Sequence, residues 1–344
     1  MIILKNTSFF HMVVNKMIQD ENHTLYTFKM IAAIAVVFIH CAFPELFGIV
    51  VKNIARFAVP FFFIISGYFW KFPNLDKNGY YEKGRKRLRK VVRLTIYAMI
   101  VYFVFNLFRD YIQGHLSVFL SSFFSIENLT YFLLLNHAHP FLGVGHLWYI
   151  IALIYIYILI ICIERKEWWN VAYKISCIFI LSVFVLEFVN NFTRTSIPIF
   201  FYRNWLLTGF PLFTFGRYLK ENEDKLKRIG CRTLVMAYSF FIVTETFLFK
   251  SNFELMPSSL LACVLLMKIS CENKNIKFYG LSSLGKKYSQ WMYIYHYLFI
   301  IIFKNLLKLF DGIYLLHWLL PLVVVFVSFI FSHLTMKINE KIVN

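Results

Sequence analysis

Charge is scarce in this chain, and acidic charge is scarcer still. Only 16% of its 344 residues are charged, and 36 Lys and Arg stand against 18 Asp and Glu. No soluble domain could hide so much apolar surface: 59% of the residues are hydrophobic and 20% aromatic. Paired cysteine is also missing. Cys41, Cys162, Cys177, Cys231, Cys263 and Cys271 are scattered and form no C-x-x-C, so neither a disulfide framework nor a metal site is suggested. Residues 1–24 have no long apolar core and no small-residue cleavage site, and are expected to be a short cytoplasmic arm, not a cleaved signal. No internal repeat or long linker is evident, and residues 339–344 leave only a short tail after the last apolar run.

What is present is a series of apolar runs between charged punctuation. Ten candidate spans lie near 27–43, 53–70, 93–110, 146–163, 171–190, 203–219, 232–249, 253–270, 288–307 and 316–336, of the length helical spans require. The fold class expected is an all-α, polytopic integral membrane protein of about ten transmembrane helices. Residues 115–135, rich in Ser and interrupted by Glu127 and Asn128, read as an interfacial or re-entrant loop. With ten spans, 28 of the 36 basic residues fall on the side of the N-terminus and eight on the other. That bias obeys the positive-inside rule and puts both termini in the cytoplasm. The formal charge of +18 is then a signal for insertion and for contact with the lipid bilayer. Nucleic-acid binding is disfavoured, because no soluble domain is there to carry it.

The first span, LYTFKMIAAIAVVFIHC, carries Lys29 at its start and His40 deep inside, with only apolar residues between. At the helical rise the two lie roughly 16 Å apart. With Lys29 at one face of a roughly 30 Å hydrocarbon layer, His40 reaches its middle. An ionisable group there marks a functional site by default, although a histidine hydrogen-bonded to a neighbouring helix is the ordinary alternative. Arg56 opens RFAVPFFFIISGYFW, where it either snorkels to the surface or turns inward to hold an oxyanion or an acceptor. In the same run Pro60 should kink the helix, and Ser66-Gly67 permits close approach.

KGRKRLRKVVR, with Arg85, Arg87, Arg89 and Arg93, is either stop-transfer charge or a site for a polyanionic cytosolic ligand such as a nucleotide or coenzyme A. His146 and Trp148 open the fourth span at the external interface, and His296 lies midway along the ninth, so with His40 there are two intramembrane histidines on different helices, which suggests a shared polar cavity. Glu187 and Glu245, towards the ends of spans five and seven, are placed to orient a histidine or an acceptor hydroxyl, or to pair with Arg194 or Arg203. His137 and His139 share a loop, and H-x-H alone is a poor metal site.

Together these segments resemble the membrane acyltransferase-3 family, which includes O-acetyltransferases of bacterial surface polysaccharides. The resemblance rests on Lys29, ten residues and His40; on R-x-x-V-P-x-F-F-x-x-S-G-Y from Arg56 to Tyr68; and on HLWY at 146–149, FPLFTFGRYL at 210–219 and YIYHYLF at 293–299. It covers residues 25–338. The chain departs from the family pattern in having Tyr26 where an acid is common, Lys29 in place of Arg, and R-x-x-R only as Lys86-x-x-Arg89 or Lys90-x-x-Arg93.

The resemblance implies a multi-pass bacterial plasma-membrane enzyme. It would transfer an acyl group, acetyl first, from cytosolic acyl-CoA to a hydroxyl of a cell-surface or lipid-linked glycan. Acyl-CoA would be a co-substrate, no cofactor would be bound permanently, and glycan-assembly proteins would be possible partners. His40 and Arg56 would be catalytic, and Lys29 and the four arginines would hold the donor. Ser66, His146, Trp148, Glu187, Glu245 and His296 would line the acceptor cavity. A transporter or flippase for a lipid-linked sugar is the alternative of a different class; a scaffold in a glycan-export complex is a third.

Overall fold

A computed structural model describes residues 21–71, 76–138, 144–193, 197–248, 253–276, 278, 280–310 and 313–343. His139, Arg194 and Lys250, and most of the expected N-terminal arm, lie outside the described residues. The described residues form helices and turns, with no strand among them.

The first helix, α1 (His23–His40), starts at Asn22, whose side chain accepts from the Leu25 N–H at 2.9 Å. The same Asn22 donates to the Ser270 carbonyl at 2.8 Å, and Thr24 donates to the Asn273 carbonyl. These bonds tie the start of α1 to a segment some 250 residues away.

The expected second span is two helices, α2 (Glu45–Ala55) and α3 (Ala58–Tyr68), joined at Arg56 and Phe57. Pro60 explains the joint: it has no N–H to give the Arg56 carbonyl, and a proline is tolerated only in the first turn of the helix that follows. The next helix, α4 (Lys77–Ile112), is 36 residues long and carries the basic run in its first half.

Then come α5 (Leu116–Phe123) and α6 (Ile126–Leu135), bent by 55°, where an interfacial or re-entrant segment was expected. Helices α7 (Trp148–Lys166) and α8 (Trp169–Phe192) follow. A π turn at Trp205–Gly209 leads into α9 (Phe210–Glu221), and a short α10 (Glu223–Arg228) precedes α11 (Cys231–Val243). The chain finishes with α12 (Pro257–Glu272), α13 (Leu281–Leu307) and α14 (Tyr314–Val343).

Among the described residues, six helical segments are long and apolar enough to cross a membrane: α1, α2 joined to α3, α4, α7, α8 and α14; the α5–α6 pair would make seven. The other four expected spans take different forms. Helix α9 has only 12 residues after its π turn, α11 passes into a π turn at Thr244, and α12 has 16 residues. Helix α13 is 27 residues long but begins with the polar stretch LSSLGKKYSQ. The count of ten and the orientation therefore stay expectations.

Two glycine seams hold the centre. A Cβ on Gly67 of α3 would lie 1.8 Å from the Phe213 carbonyl oxygen, and one on Gly216 of α9 would lie 1.9 Å from that of Ile64. Each helix thus presents a glycine to the other's backbone. Gly285 of α13 meets the Tyr26 carbonyl of α1 in the same way, at 1.9 Å. Backbones can approach this closely only where the side chain is absent.

Candidate active site

Three histidines meet where α1 ends. The His40 ring lies 5.4 Å from that of His296 and 6.5 Å from that of His146, centroid to centroid. His146 and His296 are 5.1 Å apart, edge to face. Tyr297 stacks on His146 at 4.8 Å, and Tyr102 approaches its other side at the same distance.

His146 is 2% exposed and sits against the backbone of Ile294. His296 is fully buried. Its Nδ1 lies 2.8 Å from the Tyr293 carbonyl and 3.2 Å from that of Met292. The sequence placed His146 at an interface; the structure puts it in the core with His296. Among the described residues no group of His, Cys, Asp and Glu is arranged to hold a metal.

His40 also lines a cavity of about 240 Å³ with Lys52, Arg56, Trp148, Glu187, Arg203 and Glu254. Arg56 sits at the joint between α2 and α3, turned inward and 6% exposed. Its Nη1 lies 3.3 Å from Glu254, and Arg203 reaches the other Glu254 oxygen at 3.2 Å. Two guanidiniums therefore share one carboxylate, and the Arg56 Nε keeps no partner.

Glu187 contacts neither histidine nor arginine through a hydrogen bond: its carboxylate accepts the Glu254 N–H at 2.9 Å and the Leu255 N–H at 3.0 Å. It thereby holds the turn that presents Glu254. Glu245 is outside this cavity, where it accepts from the backbone and the hydroxyl of Ser258. Trp148 is positioned by Asn136, whose amide donates to the Trp148 carbonyl at 3.0 Å and accepts from the Trp205 N–H at 2.8 Å.

A second cavity opens at the other end of α1. It measures about 450 Å³, and Lys29, Ser66, Arg87, Lys90, Tyr149, Tyr157 and Tyr293 are on its wall. Ser66 therefore lies beside Lys29, away from the acceptor side expected for it; its hydroxyl donates to the Phe62 carbonyl at 2.8 Å. A neighbouring space of about 810 Å³ shares Arg87 and Lys90 and adds Lys86, Arg89, Arg93, Tyr97 and Trp291. Arg85 is not part of either. It is half exposed, pairs with Glu82 at 3.8 Å and lies over the Tyr81 ring.

The basic cavity and the His40 cavity have no wall residue in common. The histidines fill the ground between them. Tyr293 belongs to the basic cavity, donates to the His146 carbonyl, and its ring lies 5.9 Å from that of His296. Over residues 22–337 the chain matches the family model described as an acyltransferase domain.

The chain belongs to acyltransferase family 3. Comparison with curated proteins and with solved structures finds no match.

In this acyltransferase the structure brings together His40, Arg56, His146, Trp148, Glu187 and His296 around one end of α1, and Lys29, Ser66 and Arg87 around the other. Arg89 and Arg93 line the adjoining space. Sequence reasoning missed Glu254, Tyr102, Tyr293 and Tyr297, and weighed Arg203 only as a partner for a glutamate. The acid has a weak signal, a lone Glu at the very start of the expected span 253–270, in the stretch SNFELMPSS. Tyr293 and Tyr297 lie in the quoted YIYHYLF but do not stand out in a chain with 21 tyrosines, and Tyr102 has no signal at all.

Proposed function

We propose that this acyltransferase moves an acyl group, acetyl first, from cytosolic acyl-CoA to a hydroxyl of a cell-surface or lipid-linked glycan at the bacterial plasma membrane. The observation that carries this reading is the pair of cavities at opposite ends of α1, one basic and one lined by His40, with the histidines between them.

In this reading the phosphates of coenzyme A meet Arg87, Lys90, Arg89 and Arg93, whose donors suit phosphate oxygens. The thioester end passes Lys29 and Tyr293 towards the histidines. A glycan hydroxyl enters from the Arg203 side. His40 takes its proton as general base, or carries the acyl group as a transient acyl-imidazole. Arg56, with a free Nε and a guanidinium only half engaged, stabilises the tetrahedral oxyanion or holds the acceptor.

The test supplies radiolabelled acetyl-CoA to the cytosolic face of membranes from a strain lacking the gene and complemented with it. Covalent label on the glycan fraction, absent with His40→Ala at equal protein abundance, supports the proposal. Sugar translocation without label would replace it with the transporter reading.

A further inference from the structure

His296 is distinguished by the direction of its hydrogen bonds. A backbone carbonyl only accepts, so the Nδ1 facing the carbonyls of Tyr293 and Met292 carries the proton. Its Nε2 is then the nitrogen with the free lone pair. That Nε2 is buried and has no hydrogen-bond partner among the described residues. Two imidazoles stand beside it, His146 at 5.1 Å and His40 at 5.4 Å between centroids; of these His40 lines the acceptor-side cavity, and its separation lets ring nitrogens come within hydrogen-bond reach, directly or through one water. A buried polar atom left without a partner in a native protein calls for an explanation, and a catalytic role is one.

The stretch of α13 that carries His296 is also built unusually. The Tyr102 hydroxyl donates to the Ile294 carbonyl at 2.6 Å and accepts from the Leu298 N–H at 3.0 Å. Those two groups are the ones an undistorted helix would join to each other. A side chain from α4 thus bridges the two groups of one rung of α13, two residues either side of His296. Side chains that engage a rung in this way are a recognised cause of local helix distortion. With Met292 and Tyr293 accepting from the His296 ring, three successive carbonyls are turned to side-chain donors. The imidazole is held at its Nδ1 edge, on a stretch of backbone that Tyr102 braces.

We infer that His296 is the proton partner of His40, and that Tyr102 positions it. This rests on the acyl-transfer reading above. As the hydroxyl oxygen bonds to the acyl carbon, its proton goes to His40, and the proton on the far nitrogen of His40 passes to Nε2 of His296. The resulting imidazolium directs its Nδ1–H at two carbonyl oxygens that already stand in place. The C–S bond breaks with its electron pair on sulfur. The proton then returns through His40 to the thiolate, so the products are the ester and CoA thiol and both imidazoles end neutral. The groups facing His296 are His40 from α1, His146 from before α7, and Tyr293 and Tyr297 from its own helix.

Two measurements on the full chain in nanodiscs test this. The first is independent of acyl transfer: solid-state ¹⁵N NMR of the histidine-labelled protein, with the His296 signals assigned by their loss in His296→Gln. The expected result is a neutral ring protonated at Nδ1, whose Nε2 signal moves in His40→Ala. A ring protonated at Nε2, or one indifferent to His40→Ala, overturns the inference whether or not the enzyme transfers acetyl. The second is the rate of acetyl-CoA-dependent labelling of the glycan fraction. His296→Gln should lower it about 100-fold or more while the half-saturating acetyl-CoA concentration stays within about threefold. Tyr102→Phe should give a smaller loss and weaken the Nδ1–H signature. Near-normal turnover in a folded His296→Gln protein overturns the proton role, whereas no label from the wild type with the NMR signature intact overturns the acyl-transfer reading.

Discussion

Arg56, at the joint of α2 and α3, and Arg217, in α9, are equally buried, each 6% exposed. Their surroundings differ. Arg217 donates to Glu164 at 2.7 Å and to Glu221 at 3.1 Å, and its guanidinium lies 3.7 Å from the Trp169 ring centre. Those partners are held in turn: Trp169 donates to Glu164 at 3.0 Å, and Tyr173 to Glu221 at 2.7 Å. Arg56 has one carboxylate, which it shares with Arg203, an unpartnered Nε and a cavity in front of it. A guanidinium with a carboxylate for each edge fastens helices together. One whose donors are left over is arranged for something that arrives from outside. Burial alone does not separate the two cases; the inventory of donors and acceptors does.

The sharpest way to break this comparison is at the open end. His40→Gln should reduce glycan acylation about 100- to 10,000-fold with abundance unchanged, because the amide cannot accept the hydroxyl proton. Near-normal labelling by a well-expressed His40→Gln protein would end the proposed role.

The next effect separates the arginines themselves. Arg217→Met takes the guanidinium from two carboxylates, leaving Glu164 to Trp169 and Glu221 to Tyr173, and should cost about 1–3 kcal/mol of stability, seen as a lower melting temperature of the solubilised protein. Arg56→Met should depress the transfer rate and leave the melt nearly unmoved. The opposite assignment of losses would show that donor inventories mislead here.

A smaller effect is expected at the basic end. Removing Arg89 and Arg93 together, as Gln, should raise the half-saturating acyl-CoA concentration about tenfold, the equivalent of roughly one charge-assisted hydrogen bond. Arg85→Gln should change it little, since Arg85 lines neither basic space. Least disturbing is a topology test with single cysteines at two exposed sites. An impermeant thiol reagent should label Gln113→Cys from outside the cell and fail to label Asn275→Cys; the reverse would invert the expected orientation.

The sequence carried the family and the two ends of the site because local spacing carries them. Lys29 and His40 lie on one helix, and Arg56 to Tyr68 on the next, so a short window holds each pattern. The meeting of His40, His146 and His296 was open to suspicion only as buried polarity on separate helices. Their contact depends on α13 packing against α1, which no window reveals. Glu254 gave only a faint signal for a related reason: its partners Arg56 and Arg203 lie far away in the chain, and Glu187 holds its turn through backbone bonds. Hydropathy also overstated regularity. It counts apolar residues, not hydrogen-bond patterns, so it read 203–219 and 232–249 as plain spans where π turns interrupt the helix.

The glycine contact between α3 and α9 has a mechanical side. Phe62 and Ser66 form part of the basic cavity's wall, and the next residue, Gly67, rests against the Phe213 backbone with no side chain to yield. From there α9 runs directly to Arg217 and its two carboxylates. Such a contact behaves like a strut, not a cushion. The cavity wall and the Arg217 clamp, four residues on from Phe213, are thus joined through one unyielding contact. Arg217 then serves as an abutment that lets a thin-walled cavity keep its shape when it is filled.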